Sequence, residues 1–257
     1  CNRSVKFDHF ISQAKKLNCD KVATGHYAKI IKKNNEYELH KADYLDKDQS
    51  YVLHMLKSSD LENISFPLGE ISKPDVRQIA ARIGLKTAFK KDSQDICFVG
   101  KKDYRSFVEK RIDLTAPGEI LDTEGNKVGD HNGIHEFTVG QRKGLPGGYG
   151  SPRYVTKINV QNKNVTIGER NDLLVSSFIV EELSCVNDLE YKNLTIQTRY
   201  NSEDLPCEIK KLSDTKVLVQ LKEPAFGVAP GQFGVIYNGT KVVCGGRISP
   251  KVLENVG

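Results

Sequence analysis

The last third of the chain, from about Glu169 to Gly257, alternates apolar and polar residues in short runs, with turn signals roughly every ten residues. The stretches CEIKKLSDTKVLVQL (Cys207–Leu221) and FGVIYNGTKVVCGGRI (Phe233–Ile248) carry the pattern most clearly. A period of two turns one apolar face of each strand toward a core. Short strands joined in succession leave edges that must be covered, and closure removes them. The cadence therefore predicts a small antiparallel β-barrel.

The front of the chain, Cys1 to about Tyr104, reads differently. Phe7, Phe10, Ile11, Ala14 and Leu17 recur at helical spacing. CDKVATG then reads as a short buried strand entering a glycine loop, and YAKIIKKNNEYELHKA as a hairpin with Asn34 and Asn35 in its turn. Pro74 suits the first turn of a helix that runs to about Ile83 and ends at Gly84. This content fits half of an α/β nucleotide-binding domain, with sheet faces and edges that further strands would cover. A middle region, Arg105 to Gly168, opens on a short helix (Tyr104–Arg111). It continues with the hairpin PGEILDTEGNKVGDHNG, the glycine-rich GQRKGLPGGYG and the hairpin RYVTKINVQNKNVTIGE. The expected fold is thus an α/β domain over 1–104, a small central domain over 105–168 and an antiparallel β-barrel over 169–257.

Composition excludes several classes. No apolar run approaches the roughly 18 residues of a membrane span, and Cys1–Lys16 is charged throughout, unlike a signal peptide. Six cysteines in 257 residues are too sparse for a secreted disulfide scaffold, and no CxxC or Cys/His spacing marks a metal site. A reducing cytoplasm is the expected compartment, without a membrane partner. A net charge of +5 is compatible with an RNA partner.

Two cysteines stand in chemically suggestive places. Cys1 opens the first helical pattern, where the positive end of a helix dipole favours thiolate. Cys97, in KDSQDICFVG, is flanked by Lys90, Lys91, Lys101, Lys102 and Arg105, whose charge lowers a thiol pKa and attracts a nucleic-acid backbone. Two such thiols suit sulfur transfer or a redox pair, although most free cysteines are small buried hydrophobes. Cys19, Cys185, Cys207 and Cys244 read as structural.

The words ATGHYAKI (Ala23–Ile30), KDQSYVL (Lys47–Leu53), FPLGEISKPDVRQIA (Phe66–Ala80), KDSQDICFVG (Lys91–Gly100), GQRKGL (Gly140–Leu145), TRYNSEDLPCEI (Thr198–Ile209) and APGQFGVIYNG (Ala229–Gly239) occur in one order. That order resembles the bacterial-type tRNA-specific 2-thiouridylases of the ATP-pyrophosphatase superfamily. The resemblance implies a partial Rossmann-like adenine nucleotide alpha hydrolase domain at the front. It also implies sulfurtransferase chemistry on the wobble uridine of tRNA, and ATP with Mg as its counterion. Sulfur would arrive as a persulfide from a sulfur-relay protein or cysteine desulfurase. Cys97 would carry that persulfide, and Cys1 would release the product, leaving a Cys1–Cys97 disulfide for a reductant. Spacing alone does not tell the two thiols apart.

The same resemblance places Gly25 against ATP, and His26, Lys47, Asp48, Gln49, Arg199, Tyr200 and Gln232 against the anticodon region of tRNA; a monomer is the expected state. Physical readings run beside it. Gly25 ends a strand, where open α/β sheets bind ligands. Lys47 and Arg199 suit phosphate, and Tyr200 suits stacking on an unpaired base. Asp48 equally suits a helix cap, and Gln232 either reads a base edge or holds its turn. Arg142 and Lys143 are further RNA candidates.

The SGGxDS-type phosphate loop of that superfamily, and the Asn-Pro-Asp segment expected ahead of the first cysteine, are not in the sequence. The chain is therefore expected to be the later part of a family member, unable to adenylate uridine by itself, with the barrel its most independent unit. Alternatives are a tRNA-binding fragment without catalysis, or a thiol oxidoreductase using Cys1 and Cys97. A third alternative is a cysteine-ligated metal or iron–sulfur protein, for which two separated cysteines are too few ligands without further ones.

Overall fold

The computed structural model describes residues 7–90, 116–184 and 192–250. Cys1, Cys97, Cys185, the cationic residues Lys91, Lys101, Lys102 and Arg105, and the helix expected over Tyr104–Arg111 lie outside the described residues. The chain divides into two compact units. The first comprises the described residues of Cys1–Lys90, Ser176–Glu223 and Pro230–Gly257; the second those of Lys91–Val175 and Pro224–Ala229.

In the first unit, helix α1 (His9–Lys16) is followed by strand β1 (Val22–Ala23). Strands β2 (Lys29–Lys33) and β3 (Glu36–His40) form the expected hairpin. Its two-residue turn needs positive φ at both positions, which asparagine tolerates: Asn34 has φ 47° and Asn35 φ 67°. Helix α2 (Ser58–Leu61) leads into β4 (Ile64–Ser65), which pairs in parallel with β1. Helix α3 (Lys73–Arg82) starts where the sequence places it: Ser72 Oγ accepts from Asp75 N at 3.3 Å, and proline sits in the first turn.

Two expectations fail here. The CDKVATG strand is two residues long, with Val22 half-buried and Ala23 exposed, because β4 flanks it on one edge only among the described residues. No apolar helix follows Lys47–Gln49; Ser50–Leu53 forms a 3₁₀ turn. The Asp48 carboxylate is already engaged by Ala42 N and Ser50 Oγ, so it organises a loop and caps no helix.

The barrel is closed. Its strands are β9 (Leu174–Glu181), β10 (Leu194–Gln197), β11 (Leu205–Ser213), β12 (Lys216–Phe226), β13 (Phe233–Asn238) and β14 (Lys241–Ile248). They run in the order β13-β10-β11-β12-β9-β14, and β13 pairs with β14 to shut the ring. Strand β14 also pairs with β3 at Lys241↔His40, so the early hairpin is continuous with the barrel sheet. One core serves both: Leu39, Tyr51, Leu53, Ile64 and Phe66 pack in the same cluster as Val235, Tyr237 and Val242. Cys207 and Cys244 are buried barrel residues, as expected of structural cysteines, whereas Cys19 is exposed in the turn after α1.

The second unit holds β5 (Gly118–Leu121), β6 (Lys127–His131), β7 (Tyr154–Asn159) and β8 (Asn164–Gly168), in the order β6-β5-β8-β7. The two expected hairpins are present, joined through a parallel β5–β8 pairing. Ile120, Ile134, Val155, Val165 and Ile167 form its core.

Gly245 on β14 is a point of close approach. A Cβ there would lie 2.5 Å from the buried His54 ring. Gly245→Ala should therefore destabilise the first unit by about 1–3 kcal/mol, as overpacking does. Urea unfolding measures it; an unchanged midpoint would mean that His54 moves aside freely.

Candidate nucleic-acid interface

The loop after β1 and the segment Lys47–Gln49 are held together by Gln49, through its side chain and its backbone. Gln49 Oε1 accepts from Tyr27 N at 3.0 Å, and Gln49 N donates to Tyr27 O at 2.7 Å. Gln49 is thus a structural clasp beside Gly25 and His26. Gly25 is exposed, and a Cβ on it would meet only Leu68 Cδ1 at an ordinary 3.7 Å. Nothing among the described residues demands glycine there. His26 is half-buried: its Nδ1 lies 2.9 Å from Thr24 Oγ1, and its ring packs against Phe7 and Phe66.

Asp48 is 8% exposed. Burial pushes its carboxyl above the ordinary range, partly offset by the hydrogen bonds from Ser50 and Ala42. Ser50 Oγ also lies 3.2 Å from Tyr237 OH. Over the same Tyr237 ring sits Lys41 Nζ, 4.2 Å from the centroid, bonded to both Asp204 oxygens at 2.7 and 2.6 Å. This network joins residues 41–50 to the barrel.

Beside it runs an aromatic array. Tyr200, 45% exposed, has its ring centroid 6.2 Å from that of buried Tyr51. Tyr51 OH donates to Phe233 O at 2.8 Å, and Phe233 packs on His54 at 4.7 Å. Burial raises the Tyr51 hydroxyl to about 12, so it remains a donor at neutral pH. Arg199 is near enough to act on Tyr51, and Lys47 and Asp48 on Tyr200. Gln232 is exposed in the turn before Phe233, and its carbonyl accepts from Ile248 N at 2.7 Å.

Lys47, Asp48, Arg199 and Tyr200 therefore converge although the two words that contain them lie far apart in the sequence. Gln232 adjoins them through Phe233. Beside Asp48 and Tyr200 opens a cleft of about 470 Å³, lined also by Tyr51, Lys41 and Asp204 among others. Tyr51, Lys41 and Asp204 escaped the sequence reading. Tyr51 lay inside the word KDQSYVL, but no local signal distinguishes a tyrosine that supports a site from one that fills a core. Arg142 and Lys143 are exposed in the glycine-rich loop of the second unit, which Gln141 organises by donating through Nε2 to Lys143 O at 2.9 Å. No group of three metal-ligating side chains, and no helix long and apolar enough to cross a membrane, occurs among the described residues.

Three family models match in succession. They are a tRNA methyl transferase HUP domain over residues 1–101, a tRNA methyl transferase PRC-barrel domain over 105–169 and an aminomethyltransferase beta-barrel domain over 175–248. The chain is 41% identical to the tRNA-specific 2-thiouridylase MnmA of Chloroflexus aurantiacus over 254 residues, which are 97% of this chain and 71% of that protein. The chain belongs to the tRNA-specific 2-thiouridylase family. The tRNA-specific 2-thiouridylases MnmA of Lachnoclostridium phytofermentans and Rickettsia prowazekii are each 40% identical to it, with 71% and 72% of their lengths covered and 96% and 98% of this chain. The 2-thiouridylase fold seen here is accordingly a HUP-type α/β part, a PRC-barrel-like central part and a closed antiparallel β-barrel.

Buried His54 and half-buried His40 give the first unit a pH dependence. Burial lowers His54 and His40 below the ordinary 6.5. In Glu38, burial opposes ionisation, but hydrogen bonds from Lys241 and His40 outweigh it and hold the carboxyl below 4.5. A histidine whose folded pKa lies below its unfolded pKa contributes stability that is complete above about 6.5 and lost as pH falls toward the folded value. Glu38 acts only further down. Stability should therefore decline between pH 7 and 5.5; a flat urea midpoint over that window would show that both imidazoles accept protons without cost.

Proposed function

We propose that this chain carries out sulfur transfer and grips tRNA as a cytoplasmic tRNA-uridine 2-sulfurtransferase, acting as a monomer on the anticodon region. The observation that carries the reading is the convergence of Lys47, Arg199 and Tyr200 on one face, in a chain of this family. A cation pair and an exposed, backed aromatic ring are what an unpaired RNA segment needs: neutralised phosphates and a stacking platform. We assign His26, Asp48, Gln49 and Gln232 to the same face. Gln49 and Asp48 act by holding the loop, since their side chains are already bonded within the fold. Gly25 is the proposed nucleotide-contact position. The family matches support a division into 1–104, 105–168 and 169–257.

The chemistry follows from the substrate. The uridine 2-oxygen is a poor leaving group. Its attack on the α-phosphate of ATP, with Mg as counterion, releases pyrophosphate and leaves the oxygen as part of AMP. The terminal sulfur of a Cys97 persulfide, delivered by a sulfur-relay protein or desulfurase, then bonds to C2 as AMP departs. Cys1 thiolate attacks the Cys97 sulfur, breaking the S–S bond and freeing the 2-thiocarbonyl. A reductant reopens the resulting Cys1–Cys97 disulfide.

Lys47→Ala should weaken tRNA binding and reduce the dependence of log K on log salt by about one, the signature of a lost phosphate contact. Tyr200→Ala should cost about 1–3 kcal/mol with the salt slope unchanged. Unaltered affinity in both variants would refute the interface. After incubation with a persulfide donor, mass spectrometry should find added sulfur on Cys97 and none in Cys97→Ser. Cys207 and Cys244 are buried, and burial raises the Cys207 thiol to about 12, so neither competes. Accumulation on exposed Cys19 would overturn the assignment.

A further inference from the structure

The cleft under Tyr200 differs in sign from the cations beside it. Its walls carry Asp46, Asp48 and Asp204 against a single cation, Lys41. That lysine is 6% exposed, and Asp204 already holds it with two hydrogen bonds. A phosphate entering here would meet net negative charge in a partly desolvated space, where repulsion is least screened. Phosphate belongs outside, with Lys47 and Arg199.

What the walls do offer is a platform and a polar edge. Tyr200 lines the cleft with its ring half-exposed, and Tyr51 backs it. Around the same space stand the Asp46 carboxylate and the side-chain amides of Gln197 and Asn201. None of the three makes a side-chain hydrogen bond to another described residue. Asp46 and Asn201 are exposed, and Gln197 is half-buried on β10. A volume of about 470 Å³ admits one nucleoside with its solvent.

From this we infer that the cleft is a single-nucleobase subsite. An unpaired base stacks on Tyr200 and directs its N–H donors to the Asp46 carboxylate, with Gln197 and Asn201 completing its edge. The inference rests on the RNA-binding reading above and deepens it. It assigns Asp46 a binding role opposite to what charge alone dictates. An acid beside a polyanion repels it, so its removal should tighten binding; an acid that accepts from a base should weaken binding when removed.

The test is fluorescence anisotropy with a labelled unmodified tRNA transcript, on Asp46→Ala, Gln197→Ala and Lys47→Ala, with Glu203→Ala as an exposed acid outside the cleft wall. Thermal melts confirm folding. Asp46→Ala should bind about tenfold more weakly, with the salt slope retained, and Gln197→Ala more weakly too. Glu203→Ala should bind equally well or more tightly. If Asp46→Ala binds equally or more tightly while Lys47→Ala is weakened, the base subsite is overturned and the interface stands. If Lys47→Ala and Tyr200→Ala lose nothing, both fall.

Discussion

The ion pair between Lys41 and Asp204 is the contact on which the rest of the first unit depends. It joins positions 163 residues apart, at the point where β3 gives way to the loop carrying Lys47–Gln49. A buried ammonium persists only with a partner and full hydrogen bonding. Lys41 has two carboxylate contacts and the face of Tyr237. Tyr237 in turn meets Ser50, and Ser50 donates to Asp48. One chain of polar contacts therefore sets the position of the loop against the barrel, within a core that is otherwise apolar.

A second tie runs through the sheet. Strand pairing at Lys241↔His40 is reinforced by Lys241 Nζ to Glu38 Oε1 at 2.7 Å and by His40 Nδ1 to Thr240 Oγ1 at 2.9 Å. With two polar ties and a shared core, the early hairpin and the barrel share one compact unit. On the proposed RNA-binding reading, a strand that stacks on Tyr200 meets a ring already backed by Tyr51, so little ordering entropy opposes binding.

The local elements were legible because their causes are local. Asn34–Asn35 names its own turn, Ser72–Lys73–Pro74 names a helix start, and alternation from Leu205 onward names barrel strands. Reading failed where a residue's fate depends on distant partners. Asp48 has the chemistry of a helix cap, yet its carboxylate is taken up by Ala42 and Ser50. Val22–Ala23 has the composition of a buried strand, yet burial depends on which elements flank it. Cys19 has the profile of a core cysteine, yet it sits in the exposed turn that Asn18, with φ 54°, allows after α1.

By itself the sequence determined the strand cadence, the hairpin turns, the start of α3 and the order of words that marks the family, since each is written in residues near one another. Only the tertiary structure decided that Lys47, Arg199 and Tyr200 come together, that Tyr51 supports Tyr200, and that Lys41 and Asp204 line the same cleft. Those relations join segments about 150 residues apart through hydrogen bonds and ring contacts, and no pattern of spacing along the chain encodes a distance in space.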